Sequence, residues 1–407
     1  MANVNDTSKR GFKTLGLAAA LVLTVGAAIT ITAGAARAED DKAVTFSAVY
    51  TADVIGPVQG GAAHAGRFLD NTDLIADVDL EKLVGWKGAT LHGYLLNNSG
   101  GIPNDVAGTL QGIDNIEVAM PRAKLYELWL QQDFAGGRAS ALVGLYNLNS
   151  EFYANESAGL LLAPPFGIGS ELAASGPNGP SIFPSTALAV RLAYKSERGV
   201  YVRAAALNAR AGVPGDPGGP QFTLDDGALI IAEGGYEGDS HLAIGAWRYT
   251  RKQDDIRDVD IHGDPVKRTA QGVYLLGEHR LAGDPSGEGP QWKGFFRIGF
   301  SDAATTPFTG GWQAGVLLSP AFASRPDSAF SIGVDQAFLS GRQRDLTVLA
   351  GDAPSRAETG LEITYSDKIM PHVTVQPDLQ VIGNPGGLTD ARTAVVLGLR
   401  VKIDLNP

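Results

Sequence analysis

Residues 392–404 read Arg-Thr-Ala-Val-Val-Leu-Gly-Leu-Arg-Val-Lys-Ile-Asp, and their alternation decides the fold. Thr393, Val395, Leu397, Leu399, Val401 and Ile403 share one parity; Arg392, Ala394, Val396, Gly398, Arg400, Lys402 and Asp404 share the other. Successive side chains of an extended strand point to opposite faces, so each set lines its own face. Two neighbouring stretches repeat the pattern. Thr359, Leu361, Ile363 and Tyr365 alternate with Glu358, Gly360, Glu362 and Thr364, and Val373, Val375, Pro377, Leu379 and Val381 alternate with Thr374, Gln376, Asp378 and Gln380. The aliphatic face suits the core of a soluble sandwich or the lipid-facing surface of a barrel, and alternation alone does not choose.

Spacing chooses. Working outward from these strands gives sixteen candidates, at 45–55, 72–82, 88–98, 123–134, 139–149, 187–196, 199–209, 227–237, 240–251, 271–282, 291–301, 312–319, 329–339, 356–366, 371–382 and 392–404. Most approach the ~9–11 residues of a tilted membrane-crossing strand. Their connections tend to alternate between short (83–87, 135–138, 197–198, 238–239, 367–370) and long (56–71, 99–122, 150–186, 210–226, 252–270, 340–355). Tight turns at one rim, long loops at the other and an even strand count describe an all-β, 16-stranded antiparallel transmembrane barrel. Nothing in lipid then calls for a helix, because closure pairs every backbone group. Trp312, Phe300 and Tyr365, near strand ends, are expected in interfacial aromatic girdles. Leu242 and Ile244 are out of phase with Trp247 and Tyr249, so the middle strands are less regular.

The N-terminus agrees. Lys9, Arg10 and Lys13 precede an apolar run from Leu15 to Ile31, and Ala36-Arg37-Ala38 reads as a small-x-small cleavage site. This predicts a signal peptide at 1–38 and a barrel domain at 39–407. No other stretch approaches the ~20 apolar residues of a spanning helix. Removing the signal, of net charge +3, takes the chain from −11 to −14. Such an acidic chain argues against nucleic acid as a partner. With no cysteine, disulfide scaffolds, thiol nucleophiles and cysteine zinc sites are excluded. No cofactor is expected. The six histidines are dispersed, and Asp258–Thr269 fails as a calcium loop because Thr269 stands where glutamate belongs. No G-x-S-x-G or P-loop occurs.

The longest connection, Ser150–Thr186, carries Pro164-Pro165-Phe166-Gly167, Ser175-Gly176-Pro177-Asn178-Gly179-Pro180 and Phe183-Pro184. It is too apolar for a solvated tail, and is expected to fold inward and narrow the lumen.

Five segments carry a family likeness: FLDNTDLIADVDLEKLVGWKG (Phe68–Gly88), KLYELWLQQDF (Lys124–Phe134), GLYNLNSEFYAN (Gly144–Asn155), PSIFPSTALAVRLAYK (Pro180–Lys195) and PHVTVQPDLQVIGNPGG (Pro371–Gly387). With them the chain resembles the carbohydrate-selective porin family of Gram-negative outer membranes. The resemblance implies a sixteen-stranded barrel, monomer or homotrimer, seated in outer-membrane lipid and passing monosaccharides such as glucose by facilitated diffusion. It departs from the family in its Asp404-Leu405-Asn406-Pro407 ending, where an aromatic residue is usual, and at Lys124, where arginine is expected near the constriction.

A monosaccharide presents hydroxyls and an apolar ring face, so a selective constriction needs fixed polar groups and an aromatic ring. The lumen-phase candidates are Asp73, Asp77 and Asp79, then Glu127, Trp129 and Gln131, then Arg191 and Arg203 after the long loop. Opposed charges would hold hydroxyls weakly, as conduction requires; the bland reading makes the same residues wall-supporting ion pairs. By strict alternation Lys124 is out of phase with Glu127 and sits at the rim. Two other functions stay open: a general or ion-selective porin, and a barrel enzyme with its site at the rim.

Overall fold

The computed structural model describes residues 42–217, 219–220, 223–284 and 289–406. The expected signal peptide and its cleavage point lie outside them. In chain order the strands are β1 (Val44–Gln59), β2 (Arg67–Asp79), β3 (Ala89–Gly100), β4 (Ala123–Phe134), β5 (Ala139–Tyr146), β6 (Ala187–Lys195), β7 (Val200–Asn208), β8 (Ala228–Glu237), β9 (Ser240–Tyr249), β10 (Gln253–Val259), β11 (Pro265–Arg268), β12 (Gln271–Ala282), β13 (Gln291–Ser301), β14 (Phe308–Ser319), β15 (Ala329–Leu339), β16 (Ala357–Met370), β17 (Val373–Gly383) and β18 (Ala394–Asp404). All except β10 and β11 form one closed barrel, each strand antiparallel to its neighbours. Closure comes from β1 pairing with β18, from Val49↔Asp404 to Ile55↔Gly398, so no edge is left unpaired.

The stretch at 392–404 behaves as its alternation requires. Leu397 and Leu399 are 51% and 45% exposed on the outer surface, while Arg400 is buried inside. Ala394 and Val396 also point inward and are fully covered, because a loop packs on them. The irregularity in β9 has the same cause. Its period is unbroken: Leu242 and Ile244 face out, whereas Trp247 and Tyr249 face in and pack on the infolded long loop.

Sequence and structure differ mainly at strand ends. The sequence places β2 at 72–82, but it runs from Arg67 to Asp79 and gives way to helix α1 (Leu80–Val84). The first long connection shrinks to 60–66 as a result. Among the described residues three more short α-helices occupy connections: α2 (Asn104–Ala107), α3 (Ser170–Ala173) and α4 (Gly341–Leu349). The 250–270 loop forms its own hairpin, β10–β11.

As expected, residues 147–186 enter the barrel. Phe152, Tyr153, Leu172 and Glu171 are 0% exposed. Two inward glycines make room for the loop: a Cβ at Gly299 would lie 2.0 Å from the Tyr153 hydroxyl, and one at Gly333 2.5 Å from the Phe166 ring. A second inward loop, residues 101–122, goes beyond the sequence reading. It packs Ala107 and Ile113 against Ile55, Leu69, Ile382, Ala394 and Val396.

Candidate functional site

Both loops dock on the lumen wall. Acidic and amide side chains on the inner wall hold them, the carboxylates by accepting from loop backbone N–H groups. Glu358 on β16 accepts from Leu110 and Gln111, while Glu362 accepts from Leu162 and from Ala163 at 2.9 Å. Glu278 on β12 accepts from Ser157 at 2.8 Å. Buried Arg297 donates to the carbonyls of Pro165 (3.3 Å) and Phe166 (3.1 Å), and Gln380 donates to that of Ile113. These anchors lie on β12–β17. The polar inner face of β2–β6, across the barrel, carries most of the expected site residues.

Along that strip the side chains form a connected series. Tyr94 donates to Asp73 (2.5 Å), and Asn71 donates to the same carboxylate (2.6 Å). His92 Nδ1 lies 2.7 Å from Asp77, and its ring stacks on Trp129 with centroids 4.5 Å apart and planes 10° apart. Trp129 Nε1 donates to Glu127 (3.2 Å), which also accepts from the backbone of Asn147. Arg191 donates to Gln131 (2.6 Å) and to Ser140, and its Nε pairs with the Glu151 carboxylate of the long loop at 2.8 Å.

The structure therefore brings Asp77, Trp129 and Glu127 together through His92, and Gln131 and Arg191 together through their own contact. Asp73 sits beside Tyr94 on the same wall. Asp79 is not part of this strip: it caps α1, accepting from the N–H groups of Glu81 (3.0 Å) and Lys82 (3.1 Å) at the short-turn rim. An acidic residue at the first position before a helix accepts the free N–H groups there. Arg203 faces inward but is engaged by Glu233, Tyr201 and Phe152 beneath the long loop.

Lys124 is a correction. The β3–β4 register shifts by one residue, Tyr94↔Glu127 being followed by Leu95↔Leu125. Tyr126 is the extra residue of this bulge, so Lys124 turns inward instead of staying out of phase. It is 8% exposed, and among the described residues it forms no hydrogen bond or ion pair. His92 escapes sequence reading for a different reason: its role depends on Trp129 on the next strand, a pairing that local alternation does not display.

Above the long-loop rim, Arg342 of α4 donates to both oxygens of Asp255 (2.8 and 2.9 Å), and Arg268 adds a third bond (3.1 Å). Burial raises the cost of the Asp255 charge. The bonds from Arg342, Asp258 N–H, Arg257 N–H and Arg268 outweigh it and hold the carboxyl well below the usual carboxylate range. The folded value is depressed, so this clamp contributes fully above the unfolded carboxylate range and is lost only as pH falls through the depressed value. Acid-protease mapping should leave the β10–β11 hairpin intact at about pH 4, where ordinary carboxylates are half protonated; R342Q should make it cleavable there.

Residues 63–405 match the carbohydrate-selective porin, OprB, family. Porin B of Pseudomonas aeruginosa is 22% identical over 401 residues, covering 89% of this chain and 87% of that protein. The high-pH structure of Pseudomonas putida OprB superposes with a TM-score of 0.80 at 21% identity, over 90% of this chain and 95% of that one. The outer membrane channel DcaP of Acinetobacter baumannii gives 0.54 at 12% identity, over 89% and 97%. The closed sixteen-stranded wall, its inward loops and the family match over nearly the whole barrel lead to one conclusion: the chain belongs to the carbohydrate-selective porin family of the Gram-negative outer membrane.

Proposed function

We propose that this outer-membrane porin passes monosaccharides such as glucose by facilitated diffusion along the strip between β2 and β6. The observation that carries this reading is the series Asp77–His92–Trp129–Glu127. Over neighbouring strands it sets two carboxylates and a stacked aromatic pair on the lumen wall. Carboxylates accept from sugar hydroxyls, and an indole offers its apolar face to the ring. Each contact is single and weak, so a solute that enters can also leave. One chain closes the barrel and carries the whole strip, which supports transport by a single protomer, whether or not chains assemble as homotrimers.

In planar bilayers the protein should form discrete channels whose current falls as glucose is added. A current unchanged at every glucose concentration would replace this reading with a general diffusion porin. W129A should weaken the glucose block roughly tenfold, equivalent to ~1.4 kcal/mol, while leaving channels that still conduct salt. A rim enzyme would instead reveal itself by hydrolytic turnover lost on replacing one serine or histidine.

A further inference from the structure

The outer surface carries a groove of about 700 Å³ between β8 and β13, near the long-loop rim. Strand register explains its shape. Ala232↔Ala246, Ala246↔Val273 and Val273↔Phe300 form one row across four strands. The paired alanines leave a depression bounded by Phe300 and, one row nearer the rim, by Ile230. That next row continues Ile230↔Arg248↔Gln271.

Arg248 is exposed on this outward face, and among the described residues it makes no hydrogen bond or ion pair. The acidic side chain that lines the groove is Asp302. Its carboxylate is engaged by its own loop, accepting from Ala304 N–H (3.0 Å), Thr305 N–H (3.0 Å) and the Thr305 hydroxyl (3.0 Å). Arg251 and Lys252 stand just beyond the Tyr249 end of β9, Arg251 within electrostatic reach of Asp226.

An apolar trough ending in a free cation at the membrane rim matches an amphiphile with an anionic head. Long loops of such barrels face outward, so this rim meets the outer leaflet. We propose that the groove seats an acyl chain of a phosphorylated outer-leaflet lipid, with Arg248 on its phosphate. Arginine suits this role because its planar fork matches phosphate oxygens in pairs. The site is separate from the lumen strip, so its occupancy is independent of sugar passage.

The test uses the folded, detergent-purified protein titrated with bis-phosphorylated lipid A and followed by native mass spectrometry. A one-to-one adduct is expected, weakened roughly fivefold by R248Q and abolished by A246F, which fills the trough. Lipid A stripped of its phosphates should bind no better to the wild type than bis-phosphorylated lipid A binds to R248Q. Heat-modifiable migration checks that both variants fold, and if A246F does not, R248Q decides alone. Equal binding by R248Q and wild type overturns the proposal, as does equal binding of the dephosphorylated lipid. So does an adduct that survives A246F while an oligomer is lost, since the trough would then hold a second copy of this chain.

Discussion

Replacing Glu233 by leucine should widen the channel: single-channel conductance rises, and glucose no longer blocks it well. Glu233 is buried on β8 and gathers four donors. It accepts from Tyr153 N–H of the long loop (3.0 Å), from the Tyr201 and Tyr274 hydroxyls (2.8 Å each) and from Arg203 (2.7 Å). Tyr153 in turn stacks on Tyr274, with centroids 3.9 Å apart. Leucine fills the volume but leaves Arg203 and two hydroxyls without their acceptor. Removing one partner of a buried ion pair costs about 3–5 kcal/mol. That loss falls on the junction between wall and loop, so the loop detaches before the barrel opens. E233Q, which still accepts hydrogen bonds, should lie between wild type and E233L. Unchanged conductance in E233L, with a normally folded barrel by heat-modifiable migration, would show that Glu233 does not hold the loop.

The second large effect is expected from R400M, at the other inward loop. Arg400 on β18 donates to both oxygens of Asp53 (2.9 and 2.6 Å) and to Asn115 (2.8 Å), and lies 3.4 Å from Asp114. Two strands and a loop thus meet at one guanidinium. Without it two buried carboxylates face each other, again a loss of about 3–5 kcal/mol. Asp114 already stands well above the usual carboxylate range, because burial and the Asp53 charge outweigh Arg400. The docked loop therefore holds a proton that the undocked loop releases, so docking weakens as pH rises through that raised value. R400M should steepen this dependence: conductance is near wild type in acid and increasingly larger and noisier toward alkaline pH. Adding D53N to R400M should restore much of the loss, since it removes one of the two opposed charges. A pH-independent R400M channel would contradict the account.

Much of the architecture is legible in the sequence because period two is a local property. Leu397 and Leu399 face lipid and Arg400 faces the lumen for the reason their parity suggests. All sixteen barrel strands overlap their expected ranges, and the long loop enters the lumen as its apolar, proline-rich content requires. The candidate site is legible only in part. Of the eight expected residues, Asp73, Asp77, Glu127, Trp129, Gln131 and Arg191 line one wall; Asp79 caps a helix, and Arg203 supports the long loop.

The remaining departures have physical causes that alternation cannot carry. One extra residue at Tyr126 reverses the phase of everything before it, so Lys124 moves into the lumen. Residues 101–122 are one more long connection in the sequence until Glu358, Gln380 and Arg400 are placed opposite them, more than 240 residues away. The amino-acid order by itself determined the barrel, its rims and the face most strands turn to lipid, because lipid demands paired backbones and apolar outer surfaces. Which lumen side chains meet, and where the loops dock on them, was decided only when closure brought distant strands around one axis.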